Sequence, residues 1–176
     1  MIDWPLYTSL LYEGSNLALR KFFAEHPEIQ LSAIGYTFEL GNESPSFSLC
    51  ASTNAHFEQT KEEYKKEWPQ FDLDNLPWSS GDYQFSAGLL VEKEELGVVW
   101  NFEYAKLHDW GDANGEFEEV YYGLVCICCE TLAALVHSGV IPKSNNLIFH
   151  IAGYDDDIKV IKERDRTVRL LIERNA

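Results

Sequence analysis

LSAIGYTFELGNESPSFSLCAST, residues 31–53, reads as two strands and the turn between them. In its first half Ile34, Tyr36 and Phe38 alternate with Ala33, Thr37 and Glu39, the period of two that marks a strand. Gly41-Asn42-Glu43-Ser44-Pro45 is turn chemistry. Beyond it Phe47, Leu49 and Ala51 resume the alternation over 46–53. The stretch is therefore expected to be a hairpin with strands near 31–40 and 46–53. A third strand is expected at 146–153, where NLIFHIAG forms a short apolar run inside the fold.

Helices are expected around this sheet. Residues 3–26 carry the stripe Leu10, Leu11, Leu17, Ala18, Phe22 and Phe23, with Pro5 at the start and His26-Pro27 at the end. Gly14-Ser15-Asn16 is a point where that helix could kink. Thr53 or Asn54 can cap a helix over 55–67 whose outer face pairs Glu58 with Lys61 and Glu62 with Lys66. The segment 68–82 is expected to be a loop held on the body by Trp68, Phe71, Leu73 and Trp78. Residues 92–107 fit either a strand, through Val98, Trp100, Phe102 and Tyr104, or a helix, and periodicity leaves both open. The strongest helix is 115–138, apolar on most sides and so buried on most sides, with Gly139 as its stop. Together these give one α+β domain over 1–176: a small antiparallel or mixed sheet packed against helices, with a long buried helix near 115–138.

The chain has 176 residues, enough for one core that needs neither disulfides nor a structural metal. Its 29 acidic and 14 basic residues leave a net charge of -15. That sign argues against nucleic acid as a partner, because phosphate contacts supply most of such affinity, and favours a basic protein partner. The charge is uneven: residues 155–176 sum to zero, and the whole surplus lies on 1–154. The N-terminus, MIDWPLYTSL, has no basic leader pattern, so a cytoplasmic location is expected. Val120–Val136 contains a single charged residue, Glu130. The segment could span a bilayer only at the lower limit of length, so a soluble core helix is the better reading and no membrane partner is expected.

Candidate sites follow from the side chains that carry chemistry. His108-Asp109-Trp110-Gly111-Asp112, with Glu116, joins a base, carboxylates and a ring in what reads as a loop. It could be the acidic site of a small hydrolase or a metal-assisted enzyme, or only a turn and a helix start. Trp78, Tyr83 and Trp110 are the aromatics expected to stand exposed among carboxylates and to anchor a partner. Asp155-Asp156-Asp157 is expected to cap a C-terminal helix through Asp155 or Asp156. His150 reads as a hydrogen-bonded core residue. Cys126, Cys128 and Cys129 read as buried small apolar groups rather than zinc ligands, because a helix points them about 100° apart. No phosphate-binding glycine loop and no nucleophile elbow occurs. Hence no cofactor, resident metal or catalytic residue is expected, and the oligomeric state is open.

The order of IGYTFEL, CASTNAHFEQT, WSSGDYQF, FEEVYYGLVCICCETLAALVHSGVIPKSNN and LIFHIAGYDDD resembles the bacterial family known as domain of unknown function 4303. The resemblance covers residues 17–165 and rests on order and spacing rather than on any single motif. It implies an α+β fold with a helix at 92–107, and it brings no reaction or catalytic residue with it. It also implies kinship with immunity-type partners of bacterial toxins. The expectation is thus a non-enzymatic protein-binding module, with the 108–116 enzyme as the alternative.

Overall fold

A computed structural model describes residues 1–40, 46–70, 72–79, 83–85, 95–153 and 155–174, although within 95–102 the only side chain described is that of Trp100. The hairpin turn proposed at 41–45 lies outside the described residues. The fold is α+β, a three-stranded mixed sheet packed with helices. In chain order the elements are α1 (Trp4–Glu25), β1 (Leu31–Glu39), β2 (Ser46–Thr53), α2 (Asn54–Glu67), a short 3-10 helix (Leu73–Trp78), α3 (Glu95–Asn114), α4 (Phe117–His137), β3 (Ile148–Gly153) and α5 (Ile158–Arg174).

β1 is central. It pairs antiparallel with β2, Tyr36 opposite Leu49, and parallel with β3, Tyr36 opposite Ile151. One face gathers Ile34, Tyr36, Phe38, Phe47, Leu49, Phe149 and Ile151 into the main core with α1, α3 and α4. The other face carries Ala33 and Cys50 against Phe57, Leu76 and Tyr83 in a smaller core under α2 and the 3-10 helix. Gly35 lies in β1 between Cys50 and His150. A Cβ there would fall 1.6 Å from the His150 carbonyl oxygen, so only glycine fits this approach.

Several expectations need correction. α1 does not break at Gly14-Ser15-Asn16. Gly14 and Ser15 are buried, and the Ser15 hydroxyl lies 2.7 Å from that of Tyr36. The small residues therefore let the helix approach the sheet. The segment 68–82 is not loop throughout, since 73–78 is a 3-10 helix held at its start by Asp72, whose Oδ1 accepts from Asp74 N at 3.2 Å. The ambiguous stretch 92–107 is helical from 95 onward. Trp100 is buried, with its ring centroid 4.8 Å from that of Phe47 and 6.4 Å from that of Tyr7. The 108–112 segment is the last part of that helix rather than a loop, and the turn comes at Gly115 with φ 67°.

β3 is an edge strand, and α5 covers its free side with polar side chains. Arg169 donates to the Leu147 carbonyl at 2.5 Å, and Asp165 accepts from Phe149 N at 2.9 Å. Arg164 donates to the Ile151 carbonyl at 2.9 Å, and Asp156 accepts from Gly153 N at 2.5 Å. Residues 147, 149, 151 and 153 are the alternate positions whose polar groups face away from β1. Arg164 also binds Asp156 at 2.5 Å and the Tyr121 hydroxyl at 2.7 Å. Asp156 is thus an ion-pair partner and not the helix cap. The capping role falls to Asp157, whose carboxylate accepts from Lys159 N at 2.8 Å.

The Arg164–Asp156 pair is buried, so removing one partner should leave an uncompensated charge. Arg164→Met is expected to cost about 3–5 kcal/mol in chemical denaturation. The double variant Arg164→Met/Asp156→Asn is expected to recover part of that loss. A single variant within about 1 kcal/mol of the parent would show that the pair does not hold α5 in place.

Candidate functional site: the acidic corner of α3 and α4

α3 ends on Gly115, whose left-handed backbone lets Glu116 N reach back to the Gly111 carbonyl at 3.0 Å. α4 starts two residues later, with Glu118 and Glu119 in its first turn. The reversal crowds Asp109, Asp112, Glu116, Glu118 and Glu119 at one corner, and all five are exposed. Among the described residues none of them pairs with a lysine or arginine. Some acids elsewhere on the helices are paired: Glu58 with Lys61 at 2.7 Å, Glu103 with Lys106 at 2.6 Å and Glu163 with Arg166 at 2.5 Å. Glu118 and Glu119 suit the positive end of the α4 dipole. Asp109 and Asp112 lie in the last turns of α3, where no basic residue stands and the dipole is negative.

Five of the seven candidate residues meet at this corner. His108 is turned toward the protein, its ring 5.7 Å from that of Phe117, and Nδ1 stands 3.5 Å from Asp109 Oδ1. The Asp109 side chain is 83% exposed. Trp110 is half-buried against the main core, so its ring is only partly on offer. The remaining two are elsewhere. Tyr83 is buried in the smaller core on the other face of the sheet and donates to the Pro77 carbonyl at 2.9 Å, so it is not an exposed anchor. Trp78 is half-buried, with Lys162 Nζ 5.5 Å from its ring centre.

The aromatic that stands among the carboxylates is Tyr122, 62% exposed and one turn beyond Glu118 and Glu119. It lies on the helix expected to be buried on most sides, yet it faces solvent. The same correction applies to Cys126, which is exposed, whereas Cys50, Cys128 and Cys129 are buried. Tyr122, Cys126 and Glu130 recur every four residues and form the outward line of the helix. The spacing of Glu118, Tyr122, Cys126 and Glu130 was the signal available: one line of an otherwise apolar helix carries two of its three acids. α4 is long and apolar enough to cross a membrane, with 56% of its most apolar window buried in the fold.

The chemistry the corner can perform is limited. Among the described residues no three histidine, cysteine or acidic side chains converge to hold a metal ion. His150 is buried against Tyr83 at 5.1 Å, and neither ring nitrogen has a partner, contrary to the hydrogen-bonded residue expected. Burial, then the Arg164 charge, pushes its pKa down from 6.5 to about 4. Burial pushes the Cys129 thiol up to about 12 and raises those of Cys50 and Cys128 as well. Their thiolates are therefore not available as nucleophiles near neutral pH.

No protein-family model, no curated protein and no solved structure matches the chain.

Two expected outcomes follow from this placement. A thiol reagent should modify Cys126 rapidly in the folded protein and the other three cysteines only after denaturant is added, as counted by mass. A fold in which four thiols react at one rate would contradict the burial. His150 must stay neutral to stay folded. Its folded pKa is depressed, so stability is complete above pH 6.5 and falls as pH drops toward about 4. The loss should be on the order of 3 kcal/mol. His150→Phe should flatten the denaturation profile across that window.

Proposed function

We propose that the protein is a non-enzymatic binding module whose acidic α3–α4 corner receives a basic protein, in the manner of an immunity-type partner of a basic toxin. The observation that carries this reading is the group of five exposed carboxylates between Asp109 and Glu119, none of which pairs with a lysine or arginine among the described residues. Asp112 lies in the last turn of α3 and opposes its dipole, and no basic residue stands in that turn. Such placement costs stability, about 0.3–1 kcal/mol for each unfavourable dipole contact. Acidity kept only for solubility would be as well served by charges at favourable positions. Charge held where it destabilises fits a surface whose field acts on something else. Tyr122 supplies the exposed ring beside it. A steering field of this kind raises association rates and loses effect with salt. The resemblance to the domain of unknown function 4303 family supports the same reading.

Two measurements test it. Asp109→Asn/Asp112→Asn should raise the melting temperature by a few degrees while slowing association with the basic partner, sought first among proteins encoded beside this gene. The triple variant Asp112→Lys/Glu116→Lys/Glu119→Lys should lower the association rate about tenfold or more at low salt, and high salt should erase the difference. Binding that ignores both salt and charge reversal would sink the proposal.

A further inference from the structure

A trough of about 790 Å³ runs between α1 and α4. Its walls are Trp4, Pro5 and Tyr12 on one side and Cys126, Ile127 and Ala134 on the other. At one end the Trp4 indole lies directly on the α4 backbone, where a Cβ at Gly123 would meet it at 2.0 Å. From Gly123 to Ala134 the trough follows α4 for about three turns, roughly 16 Å. It is open to solvent rather than enclosed. Glu130 is the one charged residue lining it, and the carboxylate has no ion-pair partner among the described residues.

We propose that this trough is the seat of a basic amphipathic helix belonging to the partner protein. Length and openness match a helix laid lengthwise, with apolar anchors at i, i+3 or i+4, and i+7 against Cys126, Ala134 and the Trp4 ring. The sign of the charge selects the flanking residues. A lysine or arginine on the docked helix meets Glu130, and Glu118 of the α3–α4 corner lies on the same outward line of α4 beyond Tyr122 and Cys126. A second copy of this chain fits poorly, because each copy brings a net charge of -15. The inference rests on the binding-module reading and adds the form and location of the docked element.

Cys126 lies in the trough and is exposed, so its alkylation by iodoacetamide reports occupancy. Three synthetic peptides serve as probes: a Leu/Lys amphipathic helix, a Leu/Glu helix of the same pattern, and a scrambled Leu/Lys peptide with no apolar face. The Leu/Lys helix should slow alkylation about fivefold at four times its Kd. The other two should leave the rate unchanged. Ser9→Trp, which fills the trough from an exposed position on α1, should abolish protection while circular dichroism stays that of the parent. Equal protection by the scrambled peptide would reduce the effect to charge alone and overturn the inference. Protection that grows with protein concentration in the absence of peptide would assign the trough to a second copy, and no protection by any peptide would overturn it outright. A natural partner whose binding responds to the corner reversals but not to Ser9→Trp would leave the binding reading standing and remove only the helix seat.

Discussion

The free side of β3 is the constraint around which the molecule is arranged. A parallel strand at the edge of a sheet offers a row of unpaired backbone groups, and proteins cover such edges or suffer association through them. Here the cover is side chains rather than another strand. Arg169, Asp165, Arg164 and Asp156 reach residues 147, 149, 151 and 153 in turn. Three of these side chains come from α5 and the fourth from the residues just before it, so the helix and its entry together cover the strand. Tyr121 then ties α4 to the same arginine, so the main-core helix and the edge helix share a fixed point. The Asp156 carboxyl, which burial alone would raise, is held below 3.8 by Arg164, Tyr121 and Gly153 N. Acid therefore threatens the clamp only at lower pH than the window set by His150.

This arrangement explains the uneven charge. The six acidic and six basic residues of 155–176 cancel because many of them are spent inside the molecule, on β3 and on one another. Surface pairs on α2 and α3 absorb a further part. Among what remains uncompensated are the five exposed acids of the α3–α4 corner. A net charge says nothing of this, since it counts a buried, paired aspartate and an exposed, solitary one alike. The field outside the protein depends on the second kind.

The strands and the long helix were legible because each is dominated by one period. Ile34, Tyr36 and Phe38 need only a buried face, and the sheet provides it. Residues 92–107 were not, because their apolar residues satisfy both periods. Burial of Trp100 against Tyr7 and Phe47, partners from distant parts of the chain, marks the outcome. The 108–112 stretch misled for a related reason. Asp-Trp-Gly-Asp has turn composition, yet Gly111 is buried in α3, where an added Cβ would come within 3.1 Å of the Phe117 ring. The candidate site was half legible: the carboxylates were found, and the ring beside them was not. Hydropathy ranks Tyr122 with its apolar neighbours and cannot say which line of α4 lacks a covering element.

That last gap bears on function. α4 is packed by α1, α3 and α5, and its outward line from Glu118 to Glu130 alternates acid with groups that tolerate both water and apolar cover. Tyrosine and cysteine on an exposed line cost little when solvated and gain from being covered. A helix evolved only for the core would be expected to carry strong helix formers there, lysine or glutamate among them. A line that is acidic at its ends, aromatic and thiol-bearing between, and flanked by an apolar trough is suited to a surface that is sometimes wet and sometimes dry. Intermittent burial of that kind is what the proposed docking of a basic helix would impose on Tyr122 and Cys126.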